Sequence, residues 1–169
     1  MRTNFYVSAA IQFMLLLLVQ VVVCNQLNIF NFINPMIYIL FLYWYPVKQN
    51  RAVLLILSFL FGLSIDWFSD TLAMHTSAML TIAYLRPAIM RFCFGVNFEF
   101  QSFKLNNATR IQQLTFFALL IGIHHTVFFT LEAFSFSNTL LILKKIVSTG
   151  LATFVLGLVL ISLFSTQKK

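Results

Sequence analysis

The run AVLLILSFLFG, residues 52–62, carries one hydroxyl and no charge. Runs of this kind recur along the chain, and they constrain it more than any other feature. A helix needs about 20 mostly apolar residues to cross the hydrocarbon of a bilayer. Six stretches meet or approach that length: residues 4–23, 29–45, 52–68, 72–94, 111–131 and 146–164. The second is short and carries Pro35 near its start. The runs are continuous rather than alternating, which argues against a β-barrel.

Composition leads to the same class. The chain is 60% hydrophobic and 9% charged, where a soluble domain is about 45–50% apolar and about 25% charged. So few charges cannot solvate the surface of a compact domain of 169 residues. No repeat, low-complexity tract or linker divides the chain. The reading is an all-α integral membrane protein, one polytopic domain over 1–169 with six transmembrane helices. The first stretch follows Arg2 as a signal peptide would, but it is too long for an h-region. VVVCN also offers no small residue for cleavage, so it is read as a retained helix. Cys24 and Cys93 fall at the ends of passes that the charge pattern below puts on opposite sides of the membrane, which puts a disulfide out of reach and leaves two free thiols.

Basic residues near pass ends set orientation. With the N-terminus in the cytoplasm and six passes, Arg2, Lys48, Arg51, Arg86, Arg91, Lys104, Arg110, Lys168 and Lys169 lie inside, and only Lys144 and Lys145 lie outside, of 11 Lys and Arg in all. Dropping the second pass would move Lys48 and Arg51 outside, so the charges support that pass independently. Both termini are then cytoplasmic. The net charge of +7 is spread over pass ends rather than along one face. It therefore suits the anionic leaflet of a membrane and not a nucleic acid.

Between passes, residues 94–110 interleave Phe98, Phe100 and Phe103 with Glu99, Gln101 and Lys104, the pattern of a segment lying in the headgroup zone. The stretch 132–145 is polar and then apolar, and is expected to lie flat before the last pass. Arg86 is placed to snorkel to the headgroups, and Pro87 to kink or end the straight part of its helix.

Only four carboxylates occur, and two of them, Asp66 and Asp70, close the third pass. At 1.5 Å per residue, Asp66 lies about 22 Å beyond Arg51. His75, His124, His125 and Glu132 fall in the same depth band, towards the outside. An aspartate at the centre of a spanning helix costs about 2.5–3.5 kcal/mol. Asp66 must therefore face the bundle, a partner helix or water rather than lipid tails. Ser58, Gly62 and Asp66 recur every four residues and share a stripe, as do Thr149, Thr153 and Gly157. Small residues at that spacing admit another backbone, either within the bundle or from another protein. No HExxH or paired histidine motif is present. Adjacent His124 and His125 point about 100° apart on a helix, a poor chelate. Asp66 and Asp70 share one helix and cannot form a facing aspartyl pair. No metal, cofactor or catalytic residue is expected.

The segment FGLSIDWFSDTLAMHTSAMLTIAYL, residues 61–85, resembles the rod shape-determining protein MreD family. Gly62 and Asp66 match a Gly-x-x-x-Asp at a pass end, and Ser69 a short turn. Leu72-Ala73 stands for a Leu-Gly-like pair, and Ala83-Tyr84-Leu85 for the end of a small-residue-rich pass. Asp70 and Ala73 stand where the family often has Gly. The resemblance implies a non-enzymatic subunit of the cell-elongation machinery in the bacterial inner membrane. It further implies pairing with a single-pass MreC-like protein, and through it a link between MreB filaments and the peptidoglycan synthases RodA and its transpeptidase partner. It also implies a fold similar to the substrate-binding subunits of energy-coupling-factor vitamin transporters. The alternative function is that of such a vitamin-binding subunit, whose pocket the outer polar band would line.

Overall fold

The computed structural model describes residues 2–27, 33–95, 103–133 and 139–165. Among these residues there are six α-helices: α1 (Arg2–Val22), α2 (Leu40–Trp44), α3 (Arg51–Ser69), α4 (Met74–Phe94), α5 (Arg110–Ala133) and α6 (Thr139–Ser165). Short 3-10 turns occupy Cys24–Gln26, Ile37–Ile39 and Leu105–Asn107. No strand occurs among the described residues. Among the described residues four helical stretches are long and apolar enough to cross a membrane: Tyr6–Gln26, Arg51–Ser69, Arg110–Ala133 and Thr139–Phe164.

The distribution of side chains is that of a protein solvated by lipid. Val7, Ile11, Met14, Leu18 and Val22 of α1 are exposed, as are Val147, Leu151, Val155 and Val159 of α6. Gln20, Ser58, Asp66, His124, His125, Thr149 and Thr153 are buried. Apolar outside and polar inside is the arrangement that a hydrocarbon solvent favours. The chain is a multi-pass membrane protein.

Helices α3, α4 and α5 pack side by side with α4 in the middle, α1 lies on α3, and α6 on α5. The core between them is filled by residues 36–43, all buried. Here the structure corrects the expected helix at 29–45. Residues 28–32 lie outside the described set, and the remainder holds only a 3-10 turn and the five-residue α2. Pro35 cannot donate, and a helix this short leaves most of its backbone groups unpaired. Other helices satisfy them. Gln20 of α1 accepts from the Ile37 N–H at 2.9 Å and donates to the Pro35 carbonyl at 3.1 Å. Thr153 of α6 accepts from the Met36 N–H at 3.0 Å. Arg86 of α4 donates to the carbonyl of Tyr45, which ends α2. Irregular backbone at membrane depth is tolerated only when buried in protein and paired in this way. Rings tie the same segment to every long helix. Phe41 meets Phe13 of α1 and Phe61 of α3. Tyr38 meets His75 of α4, Tyr43 meets Phe117 of α5, and Trp44 meets Phe164 of α6.

Two further expectations are corrected. Arg86 does not snorkel. It is 4% exposed and lies over the rings of Tyr45 and Phe116, because the end of α2 supplies the acceptor that headgroups would otherwise supply. Pro87 lies inside its helix, and α4 continues beyond it to Phe94. Of the segment 132–145, residues 134–138 lie outside the described set, and the described remainder belongs to the flanking helices. Helix α6 already begins at Thr139, and Lys145 in its second turn pairs with Glu132 at the end of α5 at 2.9 Å. Of the loop 94–110, residues 96–102 lie outside the described set. Phe103 folds back onto Phe94, ring centroids 5.2 Å apart. Cys24 and Cys93 are free thiols.

Candidate functional site

The end of the bundle where α3 and α5 finish and α4 and α6 begin holds most of the buried polar groups. Its organising residue is Asp66, 5% exposed. Helix α4 starts at Met74 behind Ala73, and alanine has no side chain to cap a helix. The Asp66 carboxylate, reaching from α3, takes over that role. One oxygen accepts from the His75 N–H at 3.0 Å and the Thr71 hydroxyl at 2.5 Å. The other accepts from the Thr76 N–H at 2.9 Å and the Thr76 hydroxyl at 2.6 Å. Negative charge at the positive end of a helix is favourable. The Asp66 main-chain carbonyl accepts from Asp70 and Thr71 N–H groups and closes α3. One residue therefore ends one helix and begins the next.

The stripe through Ser58, Gly62 and Asp66 faces inwards along its length. A Cβ on Gly62 would collide with the Thr76 backbone, 2.7 Å from its nitrogen. This is the closest approach that glycine permits between α3 and α4. The second stripe is likewise internal. Thr149 and Thr153 are fully buried, and a Cβ on Gly157 would enter the ring of Phe117 on α5. The reading of either stripe as a seam for another protein's helix is corrected by this geometry, because α4, α5 and the 36–43 segment already occupy them.

The polar residues at this end of the bundle divide into separate groups. His75 and His124 are joined by a residue from the buried segment. The Tyr38 hydroxyl lies 2.7 Å from His75 Nδ1 and 2.8 Å from His124 Nε2. His125 turns the other way. Its Nδ1 donates to the Ile121 carbonyl at 2.9 Å, and its Nε2 lies 3.3 Å from the Thr153 hydroxyl. Asp70 is exposed and caps α3 in a left-handed conformation, φ 52°. Glu132 pairs with Lys145. Among the described residues no group of three or more His, Cys, Asp and Glu side chains is arranged to hold a metal ion.

Above this network lies a cleft of about 560 Å³ whose walls include Gln20, Asn25, Asn34, His75, Phe128 and the Glu132–Lys145 pair. Sequence reasoning found the histidines and Glu132 but missed Tyr38, Gln20 and Asn34. Gln20 was findable, since it is the one strongly polar residue in the run FMLLLLVQVVVC, and a buried amide in lipid needs partners. Tyr38 lies among other aromatic residues and carries no such signal. No family model matches this chain, and no curated protein or solved structure matches it.

Proposed function

We propose that this multi-pass membrane protein is a non-enzymatic subunit of the bacterial cell-elongation machinery, of the MreD type. It resides in the inner membrane with both termini cytoplasmic. It crosses six times, α4 and the 33–45 segment adding two passes to the four apolar ones, in a fold similar to energy-coupling-factor substrate-binding subunits. It binds a single-pass MreC-like protein and helps couple MreB filaments to RodA and its transpeptidase partner. The observation that carries this reading is that residues 61–85, where the resemblance lies, form one built unit. Gly62 sets the approach of two helices, and Asp66 caps the second from the first. Support for six passes comes from α4, which is 21 residues long and packs between two spanning helices. At 1.5 Å per residue its length is about 31 Å, the thickness of the hydrocarbon. Since both small-residue stripes are used internally, the partner's anchor meets an outward face.

The test is depletion of the protein in its native host, with affinity purification in mild detergent beside it. Rod-shaped cells should round up, and a single-pass protein with an extracytoplasmic domain should co-purify. Cells that keep their shape and acquire a nutrient requirement would overturn the proposal. They would support the second reading, a substrate-binding subunit of a vitamin transporter, which the polar cleft favours.

A further inference from the structure

The cleft at the Asp66 end has a definite unmet hydrogen-bonding demand. Its volume, about 560 Å³, falls within the range of small-molecule sites, about 300–1,000 Å³. Most of its polar walls are already paired with one another. The Gln20 amide donates to Asn25 at 3.0 Å, and the Asn25 amide to the Ser69 hydroxyl at 2.8 Å. Lys145 and Glu132 pair at 2.9 Å and cancel in charge. Two groups remain.

The first is the Asn34 side-chain oxygen, buried with no hydrogen-bond partner. It is an acceptor that lacks a donor. The second is His75, and a proton count sets its polarity. Tyr38 has one hydroxyl proton and lies between two imidazole nitrogens, with Met36 Sδ at 3.8 Å as a third and weaker acceptor; the proton goes to a nitrogen, so with neutral rings one ring donates and the other accepts. His124 Nδ1 is buried and unpartnered. A buried N–H without an acceptor is the rarer and costlier arrangement, so the His124 proton sits on Nε2 and is donated to Tyr38. Tyr38 then donates to His75 Nδ1, and the His75 proton is on Nε2. His75 lines the cleft and offers it a donor. An acceptor and a donor, in a site of balanced charge beside the Phe128 ring, 4.5 Å from that of His75, complement a carboxamide on a flat apolar ring.

We propose that this cleft binds a small uncharged molecule carrying an amide group on an apolar ring, either free in solution or as the polar part of an amide-bearing lipid. The proposal stands on the cleft alone and holds whether the protein acts in cell shape or in uptake. The experiment uses the full chain in phosphatidylglycerol nanodiscs and titrates nicotinamide by saturation-transfer NMR. Nicotinate, with the same ring and a charge, and 3-methylpyridine, with no amide, are the comparisons. Nicotinamide should bind saturably and about tenfold tighter than either, the worth of roughly one buried hydrogen bond. Asn34→Leu should remove that advantage without loss of thermal stability, since the Asn34 oxygen holds nothing in the fold. Nanodiscs doped with ceramide separate the sources: displacement of nicotinamide identifies the amide of a lipid, and its persistence identifies a solute. Absence of saturable nicotinamide binding, equal binding of the three probes, or unchanged affinity in Asn34→Leu would each overturn the proposal. The probe series on the wild-type chain decides the matter even where the variant fails to fold.

Discussion

The carboxylate of Asp66 receives both the N–H and the hydroxyl of Thr76, at 2.9 and 2.6 Å. The Thr76 backbone in turn rests on Gly62, one helical turn before Asp66. Contact and cap are thus built from the same three residues, and α4 can dock on α3 in one register only. The stripe that looked available for a visiting helix is the joint of this hairpin.

Removing the cap should therefore cost more than a surface carboxylate would. Asp66→Leu leaves the His75 and Thr76 N–H groups and the Thr76 and Thr71 hydroxyls without their acceptor. The expected loss is about 3 kcal/mol, read as a lower midpoint of thermal unfolding in a fixed detergent. Asp66→Asn keeps one oxygen acceptor and should fall between. A wild-type midpoint for Asp66→Leu would mean that water replaces the carboxylate without penalty.

Glycine positions give an internal comparison. A methyl group on Gly62 must push α4 outwards, so Gly62→Ala should destabilise by about 1–3 kcal/mol. Gly122, on an exposed face of α5, has nothing within 4 Å of its Cβ position. There the same substitution should stabilise by up to about 1 kcal/mol through helix propensity. Unfolding midpoints that move in the same direction would contradict the close approach of α3 and α4.

Backbone strain in the turn predicts a gain. Asp70 and Ala73 have φ of 52° and 57°, in the left-handed region that costs an L-residue about 1–2 kcal/mol. Ala73→Gly should raise the unfolding midpoint, because alanine has no side-chain hydrogen bond to offset the strain. Asp70→Gly should be neutral or mildly stabilising, since aspartate tolerates this region better. A lowered midpoint for Ala73→Gly would argue against the turn as described.

Topology is open to chemical labelling. In a variant lacking Cys24 and Cys93, a cysteine at Asp70 should react with an impermeant thiol reagent in cells with an intact inner membrane. Cysteines at Gln49 and Asn106 should not. Reaction at Gln49 would remove the proposed pass through residues 33–45 and with it the proposed six-pass arrangement.

Much of the architecture is determined by sequence because lipid imposes a simple rule. Each long apolar run must pair its own backbone, so its extent alone marks a helix. The stretches at 4–23, 52–68, 72–94, 111–131 and 146–164 correspond to α1, α3, α4, α5 and α6 within a few residues, save the earlier start of α6. The need for Asp66 to face inwards stems from the cost of charge in hydrocarbon. Tertiary structure alone decided which partner each polar group took. The segment at 29–45 is apolar enough to be an α-helix throughout, yet only Leu40–Trp44 of its described part is α-helical, because Gln20, Thr153 and Arg86 pair its backbone from distant parts of the chain. Such pairings span up to 117 positions and leave no local periodicity to read. The same holds for Tyr38, whose single hydroxyl joins two histidines from different helices. Solvent dictates where helices begin and end, whereas long-range geometry dictates what their few polar atoms do.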